Sequence, residues 1–156
     1  MLRQLKTFVR FTQQDRNLVL RATTALVVCR VRLRLQGIEK IRAWASRRGN
    51  GRAAPSQLAW AMEIVSRRVP GTTCLSKALA LQHLLSGNGH RSELIIGVDN
   101  AQGGFLAHAW LRFDEKILIG GDAVEKYKRL AAWPTYGAVR ETDPDKQDRH
   151  EFSRSV

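Results

Sequence analysis

The sequence has little of several features that mark common protein classes. Two cysteines in 156 residues are too few for the disulfide framework of a small secreted domain. In the N-terminal third, the longest uncharged stretch is residues 22–29, far below the roughly 20 apolar residues that span a bilayer. Residues 1–11 lack the apolar core and small-residue cleavage site of a signal peptide. The length of 156 residues and the 44% of hydrophobic residues predict one globular domain, and the few cysteines together with the lack of a signal peptide lead us to expect a reducing cytoplasm.

Acidic residues are also scarce, and their shortage is uneven along the chain. The formal net charge is +12, from 26 Lys and Arg against 14 Asp and Glu. The first 52 residues hold 13 of the basic residues and only two acidic ones, so almost all of the excess charge lies there. This asymmetry predicts one of two roles for the basic residues. They form either a face that is merely solvated or a surface that binds an acidic partner: a protein, an anionic lipid or a nucleic acid. Aromatic residues make up only 7% of the chain and no nucleic-acid-binding motif is present, which disfavours nucleic acid.

The first half of the chain has the apolar spacing of helices. Residues 3–48 read as basic helices with a polar link at residues 12–15, and we interpret the alternating residues 30–35 as helix because no turn signal precedes them. A further helix starts at Pro55 and ends before Pro70. We expect three regions: a basic helical region over residues 1–50, a core domain over 51–140 and a polar tail over 141–156.

Cys74 is predicted to lie in the first turn of a helix. Pro70 and Gly71 mark a turn, Thr72 or Thr73 can cap a helix, and glycines at 87 and 89 can end it. Free backbone N–H groups and the positive end of the helix dipole favour a thiolate at that position. The alternative is that Cys74 is a small core residue, which is the interpretation we favour for Cys29 within its apolar stripe.

After this helix the apolar spacing changes to that of strands. Residues 91–98, 105–113 and 117–119 predict an antiparallel meander, and residues 124–132 a further short helix or strand before a turn at 133–137. With a three-residue loop at 114–116, apolar burial pairs Phe113 with Ile117 and Leu111 with Ile119. The same register sets His108 opposite Asp122. We therefore expect an α+β fold in which the cysteine-bearing helix packs on an antiparallel sheet.

These positions suggest a catalytic triad. Cys74 is the candidate nucleophile, His108 the general base and later acid, and Asp122 the group that orients the imidazole. The alternatives are a satisfied sheet histidine for His108 and a turn residue for Asp122. His83 and His90 are weaker candidates. The Cys and His spacing does not fit a zinc site and there is no phosphate-binding glycine loop, so no metal or cofactor is expected.

The motif Pro-Gly-x-x-Cys-Leu at residues 70–75, a strand containing Leu-Ile-Ile-Gly-Val, and Ala-His-Ala-Trp-Leu at residues 107–111 resemble a known family. They are similar to the transglutaminase-like cysteine proteases of lasso peptide biosynthesis, in the stand-alone B2 form. The resemblance implies a papain-like/transglutaminase-like fold and the catalytic residues Cys74, His108 and, by register, Asp122. It implies cleavage of the leader from a ribosomally made precursor, which frees the core α-amine for macrolactam formation.

The resemblance also implies partners in a bacterial cytoplasm. These are the precursor peptide, a separate leader-binding winged-helix protein and an asparagine-synthetase-like cyclase, with a peripheral membrane contact through the basic N-terminal region left open. The backbone N–H of Cys74 is a candidate oxyanion donor, and Gln57 and Trp60 are candidates for the second. Two other functions stay open at this point: acyl transfer by the same triad, and a non-catalytic basic docking module that would depend on Arg30, Arg32 and Arg34.

Overall fold

Helices precede a four-stranded antiparallel sheet in the part of the chain that the computed structural model describes, residues 12–99, 104–122 and 124–135. The helices are α1 (Gln13–Leu35), α2 (Ile38–Ala45), α3 (Pro55–Ser66) and α4 (Cys74–Gly87). The strands are β1 (Glu93–Asp99), β2 (Leu106–Phe113), β3 (Lys116–Ile119) and β4 (Lys128–Pro134), with a 3-10 turn at Val124–Lys126 before β4. The predicted α+β class, with helices first and an antiparallel sheet after them, is confirmed.

Helix α1 is a continuous helix that packs into the core. It begins with a capping box, in which the Thr12 hydroxyl accepts a hydrogen bond from the Asp15 backbone N–H and the Asp15 carboxylate accepts one from Thr12. Residues 30–35 are helical, as predicted. The buried face of α1, which includes Leu26 and Cys29, joins one hydrophobic core with α3 and α4. The division of the chain at residue 50 stays a prediction, and residues 1–11 and 136–156 lie outside the described residues.

Helix α4 lies at the centre of the molecule. The Thr73 hydroxyl accepts a hydrogen bond from the Ser76 backbone N–H, which resolves the choice between Thr72 and Thr73 as the cap. Leu79, Leu81 and Leu85 are fully buried. Since burying each such side chain contributes about 2 kcal/mol, α4 is held in place by packing along its whole length. The backbone of its first turn, which begins at Cys74, is therefore held rigidly.

The sheet has the order β3-β2-β1-β4. Strands β1, β2 and β3 form the predicted meander, and β4 returns to pair antiparallel with β1. Residues 124–132 therefore contain both of the predicted alternatives, a 3-10 turn followed by a strand. The turn predicted at residues 133–137 was wrong at its start, because Trp133 and Pro134 belong to β4, opposite Leu94 and Glu93, while residues 136 and 137 lie outside the described residues. Proline is tolerated there because β4 is an edge strand and Pro134 is its last residue.

The register of the β2–β3 hairpin was predicted only in part. Leu111 lies opposite Ile119 as expected, but Phe113 pairs with Lys116 and not with Ile117. The turn has two residues and not three, and Asp114 adopts a φ of 50°, a left-handed conformation that aspartate tolerates better than most side chains. An irregularity between Leu111 and Arg112 then restores the apolar pairing.

Across residues 12–99, 104–122 and 124–135, none of the helices combines the length and the apolar character that crossing a membrane requires.

Candidate active site

A cleft of about 500 Å³ opens between the start of α4 and the sheet. Its lining comes from the second half of α3, the turn before α4, β2, and the segment that follows β3. The lining residues are Glu63, Ser66, Arg67, Thr72, Thr73, Cys74, Lys77, His108, Ala109, Ile119, Gly120 and Asp122. The three residues that the sequence pointed to, from three separate segments of the chain, therefore share one cleft.

Cys74 is the first residue of α4 and is half-buried in this cleft. The first N–H groups of a helix have no intrahelical acceptor, so the backbone around Cys74 offers hydrogen-bond donors and the positive end of the helix dipole. Cys29 has the opposite surroundings. It is fully buried on α1, and burial raises the pKa of the Cys29 thiol to about 12. The chain thus holds one buried structural cysteine, as predicted for Cys29, and one in a position suited to a nucleophile, while the catalytic role of Cys74 stays a prediction.

His108 lies on β2, opposite Gly97 of β1. Its Nε2 is 2.8 Å from the backbone carbonyl oxygen of Gly120. A carbonyl oxygen can only accept a hydrogen bond, so Nε2 must be the nitrogen that carries the proton. In a neutral imidazole this leaves Nδ1 unprotonated. The Gly120 carbonyl therefore selects the tautomer in which Nδ1 can act as a base.

Asp122 is exposed at the rim of the cleft. The sequence register placed its carboxylate against His108, but in the described residues the imidazole bonds to the Gly120 carbonyl and no hydrogen bond joins it to Asp122. The predicted register is restored at Leu111 and Ile119, but β3 ends at Ile119 and Gly120 adopts a φ of 75°, so the strand pairing does not continue to Asp122. Likewise no hydrogen bond joins Cys74 to His108 among the described residues. Such contacts are often long in free enzymes and tighten when substrate binds. The role of Asp122 stays a prediction.

Two aromatic rings fix the position of His108. The ring of Tyr127 lies 5.0 Å from the imidazole centroid at 30°, and the ring of Trp110 lies 6.1 Å away at 26°. Gly97 makes room for both, because a Cβ there would approach the Trp110 ring and the Tyr127 Cβ to 2.8 Å. Tyr127 has no signal in the sequence that links it to this site, because the residue reaches His108 only through the pairing of β4 with β1.

Two features of the structure require glycine at position 120. Its φ is 75°, and a Cβ at this position would lie 2.7 Å from the Ala109 carbonyl oxygen. The close approach of this segment to β2 is what brings the Gly120 carbonyl within reach of His108.

We expect Gly120→Ala to lower the free energy of unfolding by about 2 to 4 kcal/mol, because it combines left-handed strain with overpacking. Catalysis should fall further than the loss of folded protein explains, since the carbonyl moves away from His108. Gly121→Ala is the matched control, because a Cβ there would be 3.4 Å from the Ile117 side chain. Chemical denaturation and specific activity of the two variants check this prediction. Equal effects at both positions would contradict it.

An ion pair between Lys77 and Glu63 lines the cleft beside Cys74. The Lys77 ammonium is 2.7 Å from the Glu63 carboxylate, and both side chains are partly buried. Lys77 is one turn along α4 from Cys74, so a positive charge lies on the same face of the helix as the thiol. Glu63 neutralises that charge and holds Lys77 to α3.

The remaining candidates have structural roles. His83 stacks on Trp44 at 3.9 Å and bonds to the Trp44 carbonyl, and burial lowers the pKa of its imidazole. His90 bonds to the Ala53 carbonyl at 2.8 Å. Gln57 accepts a hydrogen bond from the Ala54 N–H at the start of α3 and does not line the cleft, which removes its support as an oxyanion donor.

Comparison with known proteins places this site in a family. A sequence model described as the transglutaminase-like superfamily matches residues 22–132. Searches of curated proteins and of solved structures gave no match. The superfamily is typically one of cysteine peptidases and acyl transferases, and its match spans helix α4, strands β1 to β3 and most of β4. The chain therefore belongs to the transglutaminase-like superfamily.

Proposed function

We propose that this protein is a cysteine peptidase that removes the leader from a ribosomally made lasso precursor peptide. The observation that carries the peptidase part is the shared cleft, in which Cys74 begins a buried helix and His108 has its tautomer set by the Gly120 carbonyl. The choice of a lasso precursor as substrate is supported by the sequence resemblance around Cys74 and His108.

The reaction follows from these groups. The Cys74 thiol transfers its proton to Nδ1 of His108, and the thiolate attacks the carbonyl carbon at the end of the leader. The Cys74 backbone N–H stabilises the oxyanion that forms. His108 then donates its proton to the departing core amine, and the C–N bond breaks to leave a leader thioester on Cys74. His108 next deprotonates a water molecule, whose attack on the thioester releases the leader carboxylic acid and restores the thiol.

The proposal includes a docking role for the N-terminal helix. Leu20, Val27, Val31 and Leu35 of α1 are 45% to 77% exposed, and they follow one another at helical spacing along its outer face. Exposed arginines accompany this apolar stripe. A separate leader-binding winged-helix protein fits such a surface, and delivery of the freed core to an asparagine-synthetase-like cyclase completes the proposed sequence. Peripheral contact with an anionic membrane is the other occupant that this surface could take.

The residues suitable for testing this surface differ from those chosen on sequence alone. Arg32 stacks over Trp44 and bonds to Gln36, and the Arg30 guanidinium lies close to Gly71 in the turn before Cys74. Replacing them would disturb the fold near the site. Arg34 and Arg16 are exposed and are the better choices.

Mass spectrometry of a lasso precursor incubated with this protein and the leader-binding partner tests the proposal. We expect a leader fragment with wild-type protein and none with Cys74→Ala or His108→Ala. Acyl transfer by the same residues is the second candidate, because the superfamily contains both activities. Adding a primary amine separates the two, since a transferase would release a leader amide in place of the acid.

Asp122→Asn should lower kcat only modestly, by about tenfold, because the exposed Asp122 carboxylate does not hold the imidazole. In triads whose carboxylate fixes the histidine tautomer, the same change lowers kcat by about 10⁴-fold. Steady-state cleavage rates of the variant and wild-type protein decide between the two. A loss in kcat of about 10⁴-fold would show that the Asp122 carboxylate replaces the Gly120 carbonyl as the hydrogen-bond partner of His108 when substrate binds.

A further inference from the structure

A second cavity adjoins the catalytic cleft. It also measures about 500 Å³ and is lined by Trp60, Glu63, Ile64, Arg67 and Arg68 of α3 and the residues after it. Two of these residues, Glu63 and Arg67, line the catalytic cleft as well. The two cavities therefore meet along α3, and we call the second one the α3 groove.

The α3 groove has an apolar side. Trp60 and Ile64 are four residues apart, so they share one face of α3. Trp60 remains 38% exposed and Ile64 is half-buried. Large apolar side chains in a concave surface beside a catalytic cleft are typical of a pocket that accepts an apolar side chain of the substrate.

The other side of the groove is positively charged. The Glu63 carboxylate forms an ion pair with the Lys77 ammonium at 2.7 Å. The same carboxylate lies 4.0 Å from the Arg67 guanidinium, at the limit of an ion pair. The Arg67 side chain is 80% exposed. Arg68 donates a hydrogen bond to the Ile64 carbonyl at 3.1 Å, which holds its guanidinium beside the groove. The groove itself is lined by one carboxylate, which already pairs with Lys77, and by two arginines, and the excess positive charge favours an acidic ligand.

We infer that the α3 groove is a substrate subsite that binds an acidic side chain next to an apolar one in the peptide flanking the scissile bond. This inference rests on the proposed function. The apolar side chain packs on Trp60 and Ile64, and the carboxylate pairs with Arg67 and Arg68.

Selection of random phage-displayed peptides on full-length Cys74→Ala tests the inference without cleavage. We expect the enriched peptides to pair Asp or Glu with an aliphatic or aromatic residue. Fluorescence anisotropy of an enriched peptide should show affinity about tenfold lower for a protein that also carries Arg67→Glu and Arg68→Glu. Selection on that charge-reversed protein should yield Lys or Arg in place of the acidic residue.

The matched control carries Arg47→Glu and Arg48→Glu in place of the groove substitutions. These arginines are exposed just after α2, as Arg67 and Arg68 are just after α3, and they line neither cavity. Affinity and selected sequence should be unchanged. Failure of Cys74→Ala to enrich any peptide, or an acidic motif that survives the groove reversal, would overturn the inference.

The two proposals can fail separately. Peptides that bind the groove but are never cut by wild-type protein would refute the peptidase and leave the subsite. A precursor that is cleaved equally well by wild-type protein and by the Arg67→Glu, Arg68→Glu variant would refute the subsite and leave the peptidase.

Discussion

Cys74→Ala is expected to abolish precursor cleavage, with a loss of at least about 10⁴-fold in kcat, while the fold stays intact. The reason is that no other described residue in the cleft can supply the attacking sulfur. Cys74 is half-buried at the start of α4, and the cap at Thr73 does not involve its side chain. Circular dichroism and thermal unfolding should therefore match wild type, while mass spectrometry detects no leader fragment.

Cys29→Ala is the matched control for this loss. It removes the same atom from a fully buried site on α1, so we expect a free energy of unfolding about 1 kcal/mol lower and an unchanged rate per folded molecule. Alkylation should discriminate the two thiols in the same way. Iodoacetamide should label Cys74 in the folded protein and leave Cys29 unmodified, because burial raises the pKa of the Cys29 thiol to about 12. Cleavage that persists without Cys74 would remove the nucleophile assignment.

His108→Ala is expected to lower kcat by roughly 10³-fold or more, because in the proposed mechanism the same imidazole activates the thiol and protonates the leaving amine. Exogenous imidazole should restore part of the activity. The truncated side chain leaves space beside Gly97, which lies opposite it on β1, and Tyr127 and Trp110 can flank the added ring. Rates measured across an imidazole titration check this result.

His83→Asn serves as the control for His108. His83 stacks on Trp44 and is absent from the cleft lining, so its loss should affect stability and not chemistry. An equal loss of activity at both positions, or a His108→Ala protein that imidazole does not rescue while remaining folded, would count against His108 as the base.

The helices of this protein could be predicted from local signals. Thr12 and Asp15 form a capping box that is visible in the sequence, and Thr73 precedes a dense run of Leu and Ala that only a buried helix accommodates. Cys74 and His108 could be predicted for the same reason, since each lies within an element with a clear apolar period. Their meeting in one cleft then follows from packing α4 against the sheet.

The parts that could not be predicted depend on where the chain turns. One residue fewer in the hairpin loop changes the pairing of Phe113, and the irregularity beside Leu111 that restores the predicted register has no signal in the sequence. Strand β3 then ends at Ile119, where the left-handed Gly120 turns the chain, and the His108 imidazole bonds to the Gly120 backbone carbonyl and not to the Asp122 side chain. Backbone groups carry no sequence signature, although the left-handed glycine that positions this one does. Tyr127 was missed because the pairing partner of β4 is not a local property.

The most direct measurement is an assay in which a lasso precursor is incubated with wild-type protein and the proposed leader-binding partner in heavy-oxygen water with a primary amine present. If Cys74 forms a thioester that His108 directs toward water, the leader fragment will carry one heavy oxygen atom at its new carboxyl terminus and no amine adduct. A leader fragment that carries the amine in place of heavy oxygen would show that the same cleft performs acyl transfer. An uncut precursor would contradict the peptidase altogether.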